Sequence, residues 1–512
     1  MRHIGLVLGL AAAVAAIGSG DAAAKGNTAK PPAELLVSVS RGPATGLDGL
    51  RAFANEIKPG AGMMISDTMI DSSIAPMIGA TSLAGLDRAS ASYLLYVDGN
   101  GVKGLAYVGK VADDTAFTNA VGQAFVVKKN GWAVFGAKPV VDKVSAYALS
   151  TLVAQPNVTA PVATAYVPNV LARYKAQIAV MRTQALAGLT SDGVATEFKT
   201  KYVDGILSTL GQTDQLTFAF DASKDGSEFD IALRPKAGST LAKFVAAQKP
   251  SDYALVNQLP DLAAPMLIAG HLEAGPYRQD LLQMVGVAGS MPKEVIDLYK
   301  TVLQASSGDA ALVMGFAKGK GMSMTGVFAM TNPKAADAAI ARIMGLLAKG
   351  LTMTTMGMTQ TLTAVAGPTV HDGVTVRGYD TTMDLSKAPP AMRASSQLIN
   401  PSGTARSELA VVDKLYLVAM GSDADAQIGR AIDIAHGKGV RAAMPKPLAA
   451  MLASSQARKD SGAMMFDFAA LAALTGTPAK MTGQVLMTFG VVDRAAHFRV
   501  RMPSSMFKQF TP

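Results

Sequence analysis

Apolar and polar positions alternate with period two over paired stretches of the chain, each pair joined by a short turn rich in Gly, Asn or Asp, which is the pattern of antiparallel hairpins. Three such stretches occur in the N-terminal half: SYLLYVDGNGVKGLAYVGKV (92–111), VVKKNGWAVFG (126–136) and QLTFAFDASKDGSEFDIAL (215–233). Three more follow in the C-terminal half, in the same order: AALVMGFAKGKGMSMTGVFAM (310–330), VVDKLYLVAMG (411–421) and QVLMTFGVVDRAAHFRVRM (484–502). An apolar strand opens each half, Leu35 to Val39 and Met266 to Gly270, followed by amphipathic helices over 47–57 and 277–285. Helices are also expected after the second hairpin of each half, over 138–149 and 423–435, where Gly136 and Gly421 end a strand and permit a strand-to-helix turn.

The recurrence predicts an internal duplication of two divergent modules, 25–248 and 266–512. In the second hairpin the match runs without gaps, with Val126/Val411, Val127/Val412, Lys129/Lys414 and Gly136/Gly421 identical. In the last hairpin Gln215/Gln484, Phe220/Phe489 and Phe229/Phe498 fall in register. The first module carries an added helical stretch over 170–210. The second carries an insertion over about 350–405 with one extra hairpin turning at Asp372-Gly373. Residues 249–265, with Pro250, Pro260 and Pro265, are the expected linker. Hairpins separated by helices predict an α+β fold of mainly antiparallel sheets with helices packed on one face, since parallel crossovers would leave single strands between helices.

Residues 1–24 have the form of a signal peptide. Arg2 and His3 precede an apolar run from Ile4 to Ile17, too short for a comfortable span, and Ala22 and Ala24 suit a signal-peptidase site. Later apolar stretches are broken by polar residues such as Asp413 and Lys414, so no transmembrane segment is expected in the mature chain. The order of exported leader, strand, helix, hairpin and helix, duplicated, resembles a broad group of exported bacterial proteins of unknown function. That resemblance implies a periplasmic or secreted location and no known activity. With 49% hydrophobic and 17% charged residues, bulk disorder is excluded. Absence of cysteine excludes disulfides, thiolate metal sites and a cysteine nucleophile. The net charge of +9 is dispersed, its densest points being Lys128-Lys129 and Lys318/Lys320 without interleaved aromatics, so nucleic acid is not an expected partner.

Methionine is the compositional oddity, at 28 of 512 residues. Met314, Met324, Met353, Met356 and Met358 are the candidate lining of an apolar ligand cleft, because flexible thioethers adapt to variable apolar partners. Copper(I) is the softer alternative for such thioethers, with filling of an irregular core the plainest reading. Asp221-x-Ser223-x-Asp225-Gly226 has the start of a calcium loop, but Ala232 stands where the bidentate acid belongs, so a hairpin turn is expected. His271, His371, His436 and His497 lie on separate elements without metal-binding spacing. Ser505-x-x-Lys508 has serine–lysine spacing without companion motifs, and no G-x-S-x-G elbow occurs. No cofactor and no catalytic residue are assigned. The expectation is a non-enzymatic exported envelope protein with a binding or structural role toward an envelope protein. The alternatives are a carrier of an apolar ligand and, less favoured, a hydrolase with a dispersed site.

Overall fold

The computed structural model describes residues 29–42, 47–154, 162–188, 196–262, 264–273, 292–317, 321–355, 358–386, 393, 400–470 and 483–508. The leader expected over 1–24, Met356, Lys318, Lys320 and the helix expected over 277–285 lie outside them. The fold is α+β, as the hairpin pattern implies, and the chain divides into two compact units.

The first unit comprises residues 1–179, 209–242 and 492–512. Its strands through residue 242 are β1 (Leu35–Ser40), β2 (Tyr93–Gly99), β3 (Val102–Lys110), β4 (Phe125–Lys129), β5 (Trp132–Gly136), β6 (Val162–Tyr166), β7 (Thr213–Ser223) and β8 (Gly226–Pro235). Asn100-Gly101 and Asn130-Gly131 close the first two hairpins with φ of 50° and 77°, and 51° and 76°, the paired left-handed conformation of a tight two-residue turn. Pairing gives the order β4-β5-β3-β2-β1-β6-β7-β8, all antiparallel. The central strands are covered on both faces. Leu95, Val97, Val108 and Val134 pack with Val140, Val141 and Val144 of helix Lys138–Tyr147, while Leu36, Val39, Tyr107 and Phe135 pack with Phe117 and Ile78. The expected one-sided covering is thus corrected. The helix after β5 and the helix Asp114–Val121 after β3 join opposite cores, and β1, buried along its whole length, contributes Leu35 to one core and Leu36 and Val39 to the other.

The second unit comprises residues 180–208 and 243–491. Its strands are β9 (Met266–His271), β10 (Ser306–Ala317), β11 (Gly321–Met330), β12 (Leu351–Thr355), β13 (Met358–Ala364), β14 (Thr369–His371), β15 (Val374–Asp384), β16 (Thr404–Val412), β17 (Leu415–Met420), β18 (Asp460–Asp467) and β19 (Gln484–Val492). The order is β19-β18-β9-β10-β11-β17-β16-β15-β13-β12, with β14 also beside β15. The 350–405 insertion therefore extends the sheet beyond β16. The last strand, β20 (Ala495–Pro503), pairs with β8 over Gly226–Leu233 and lies in the first unit.

From β4 to β7 the first unit reads β4-β5-β3-β2-β1-β6-β7, and the second reads β16-β17-β11-β10-β9-β18-β19 in corresponding positions. The residue-level match differs between hairpins. Strand breaks at 224–225 and 493–494 fall at aligned positions. The ungapped match of 126–136 with 411–421 does not hold, because one turn lies at 130–131 and the other at 413–414, so Lys129 ends a strand while Lys414 sits in a turn. Gly136 and Gly421 nevertheless play one part. Their φ values are 151° and 123°, and an added Cβ would fall 2.8 Å from the Leu105 carbonyl oxygen and 2.7 Å from that of Met322, on the adjacent strand in each unit. Alanine at either position is expected to cost about 1–3 kcal/mol of unfolding free energy, read by urea denaturation.

Residues 249–265 are packed rather than slack. Tyr253, Val256, Leu259 and Leu262 are at most 5% exposed and join the core of the second unit with Leu448 and Ile432.

Candidate functional site

The sheet of the second unit has two unlike faces. One buries Leu267, Ala269, Ala311, Val313, Val327, Leu417 and Ala419 beneath helices Ala424–Ala435 and Lys446–Ala457. On the other, register brings Phe466, Met266, Met314, Met324 and Met420 directly opposite one another across β18, β9, β10, β11 and β17. Directly paired residues in antiparallel strands share a face, so these five form one cross-strand row. Two residues further along each strand runs a second row, Met487, Met464, Ile268 and Leu312. All nine side chains are only half-buried. Helices Lys293–Gln304 and Pro333–Leu347 cover this face farther along, where Val302, Ala336 and Ile340 pack with Phe328, Tyr416 and Leu409. The result is an apolar surface carrying six methionines.

Of the candidate lining residues, Met314 and Met324 are thus brought together. Met353 is not among them: it is 7% exposed and packs with Ile343, Leu347 and Leu362 in a separate small core. Met358 begins β13 opposite Thr355, away from the row, and Met356 lies outside the described residues. Sequence reasoning missed Met266, Met420, Met464, Met487 and Phe466, whose shared face is set by register between distant strands. The signal available was the alternation in MLIAGH and LYLVAM.

Polar clusters are mostly self-neutralising. Arg41 bonds Asp71 at 2.7 Å and also Asp67, Arg51 bonds Asp67 at 3.0 Å, and Arg88 reaches Asp71, which pins helix Asp67–Ile74 around a cavity of about 20 Å³, room for one water. Each of the four histidines among the described residues pairs with an aspartate: His271 with Asp309 (3.0 Å), His371 with Asp433 (2.8 Å), His436 with Asp372 (2.6 Å) and His497 with Asp230 (2.9 Å). Lys438 and His436 hold the Asp372 carboxyl below its ordinary range. Among the described residues no group of three His, Asp or Glu is placed to hold a metal ion. Ser307 donates to Asp309 at 2.9 Å, not to His271, so these three do not form a hydroxyl–imidazole–carboxylate relay. Lys508 pairs with Glu56, and Asp225 donates its N–H to Ser223 Oγ in the β7–β8 turn.

One buried carboxyl is electrostatically unusual. Glu408 on β16 is 5% exposed and lies opposite Gly378, where any Cβ would come within 2.5 Å of its Oε1. Arg406 approaches it at 3.2 Å while holding Asp380 at 2.6 Å. Burial and a hydrogen bond shared with Asp425 push Glu408 up to about 7, against the opposing pull of Arg406.

No family model matches the chain, and no curated protein is significantly similar to it. No helix among the described residues is long and apolar enough to cross a membrane.

Proposed function

We propose that the protein is a non-enzymatic, exported binding protein of the cell envelope that holds an apolar ligand, such as a lipid acyl chain, on the methionine-rich face of its second unit. The observation that carries this reading is the half-buried row Met266, Met314, Met324 and Met420 across four strands. Thioethers are polarisable and have three rotatable bonds, so such a face remoulds around chains of different shape where branched residues would not. Export rests on the leader pattern of residues 1–24. Descent of the two units from one doubled module is supported by their matching strand orders.

Native mass spectrometry of protein purified from its own envelope is expected to show a co-purifying apolar mass. Met314→Gln with Met324→Gln keeps side-chain length but places amides on the face; it is expected to weaken binding of a fluorescent fatty-acid analogue by at least about tenfold, or 1.4 kcal/mol. A bare mass together with unchanged affinity in that variant overturns the proposal.

A further inference from the structure

The first unit holds an open cleft of about 580 Å³ formed by the turn Ala33-Glu34 before β1, the β2–β3 turn and helix Val167–Arg173. That volume lies in the range of about 300–1,000 Å³ usual for small-molecule sites. Its apolar lining is limited to Ala33, Val102 and Ala172 beside glycines. The remaining lining is polar, and its hydrogen-bonding capacity is unevenly spent.

Two carboxylates form the buried part, Glu34 at 7% and Asp98 at 5% exposure. Both are matched from within the protein. Glu34 accepts from Lys143 at 2.9 Å and from the Asn100 amide at 2.7 Å, which together hold it below the ordinary carboxylate range. Asp98 accepts from Arg173 Nε at 2.8 Å and from the Tyr174 and Tyr96 hydroxyls at 3.2 and 3.3 Å. Each acid thus uses one cation, and the Lys103 ammonium is left over. Among the described residues neither Lys103 nor the two terminal amino groups of Arg173 have a partner. The Arg173 guanidinium is held at Nε by Asp98 and lies 5.7 Å from the Tyr174 ring, so its orientation is set before any ligand arrives. Acceptors remain as well. Asn169 spends its NH₂ on the Pro32 and Leu35 carbonyls, and Asn100 spends its own on Glu34, which leaves both amide oxygens for hydroxyl donors.

We propose that this cleft binds a small polyhydroxylated anion, a sugar bearing a phosphate or a carboxylate group, with Arg173 and Lys103 holding the oxyanion and Asn100 and Asn169 accepting from its hydroxyls. The site is independent of the methionine face and stands or falls separately. A charged, bidentate donor confers affinity for oxyanions, and amide acceptors favour a ligand with hydroxyls over a bare ion.

The test is isothermal titration of the full chain with glucose 6-phosphate, glucuronate, inorganic phosphate and uncharged glucose. At least one charged sugar is expected to bind below about 1 mM, and more tightly than both phosphate and glucose. The stronger of the two charged sugars identifies the oxyanion. Lys103→Met removes an exposed, unpaired charge, so it is expected to leave the melting temperature unchanged and weaken binding by about fivefold. Arg173→Lys keeps a cation for Asp98 but loses the planar fork, with an expected loss of about tenfold. Absence of heat from both charged sugars to about 10 mM, equal binding of glucose, equal binding of phosphate, or unchanged affinity in both variants overturns the proposal.

Discussion

Replacing Asp460 with alanine is expected to lower the melting temperature of the second unit by about 10 °C, the result of losing about 3–5 kcal/mol. Asp460 is fully buried at the start of β18, and its Oδ2 accepts from Ser455 Oγ at 2.9 Å and Arg458 Nε at 3.2 Å. Ser455 in turn shares a 2.7 Å hydrogen bond with the Tyr253 hydroxyl, which burial pushes up to about 12, so the phenol stays neutral. The Asp460 backbone oxygen accepts from the Ser251 N–H at 3.0 Å. This network ties the 249–265 segment to helix Lys446–Ala457 and β18. Room for the carboxylate depends on Gly490, where an added Cβ would fall 2.4 Å from Asp460 Oδ1. Alanine removes the acceptor shared by Ser455 and Arg458 and takes the carboxylate from beside a partly buried cation, whereas Asp460→Asn keeps shape and one acceptor. Thermal melts followed by circular dichroism check both variants, asparagine being expected to lose less than half as much. A loss under about 1 kcal/mol in the alanine variant contradicts the network's role.

The same segment shows what was and was not legible in the sequence. Pro250, Pro260 and Pro265 announce a junction, and the chain does change direction there, but the interleaved Tyr253, Val256, Leu259 and Leu262 are core residues. Prolines mark where regular structure stops, not whether the segment is exposed. Hairpins were legible because alternation and Asn-Gly turns are local signals, as at 100–101 and 130–131. Strand order across β1, β6 and β7 was not, since it depends on long-range pairing. Valine recurs in strands for reasons of propensity and glycine where a strand turns into a helix, which is how 126–136 matches 411–421 in letters while the turns lie at different places. Met314 and Met324 could be paired from their shared hairpin, but Met266 and Met420 join them only through the β9–β10 and β11–β17 registers. Glu34 and Asp98, far apart in the chain, carry no motif at all; they meet because β1 runs beside β2, with the Asp98 N–H donating to the Glu34 carbonyl at 2.9 Å.

Glu408 makes stability fall as pH rises through the range in which most acids are already charged. An unfolded glutamic acid gives up its proton near 4.5, whereas in the folded chain Glu408 keeps it to about 7. Between those values the folded state binds a proton that the unfolded state lacks, so raising the pH drives unfolding, and the slope vanishes above about 7. Partial solvent screening reduces the effect to about 1–2 kcal/mol between pH 4.5 and 7.5. Glu408→Gln resembles the protonated acid, since its amide can donate toward Asp425 while its oxygen accepts from Arg406. The variant is therefore expected to match the parent near pH 5 and to exceed it at pH 7.5 by about 1–2 kcal/mol, or about 2–6 °C in melting temperature. Comparing the two chains at each pH cancels every other titrating group they share. Parallel profiles from pH 5 to 7.5 would show that Glu408 ionises as readily in the folded chain as in water, and a parent that outlasts the variant at pH 7.5 would show that the charged form is the one β16 is built to hold.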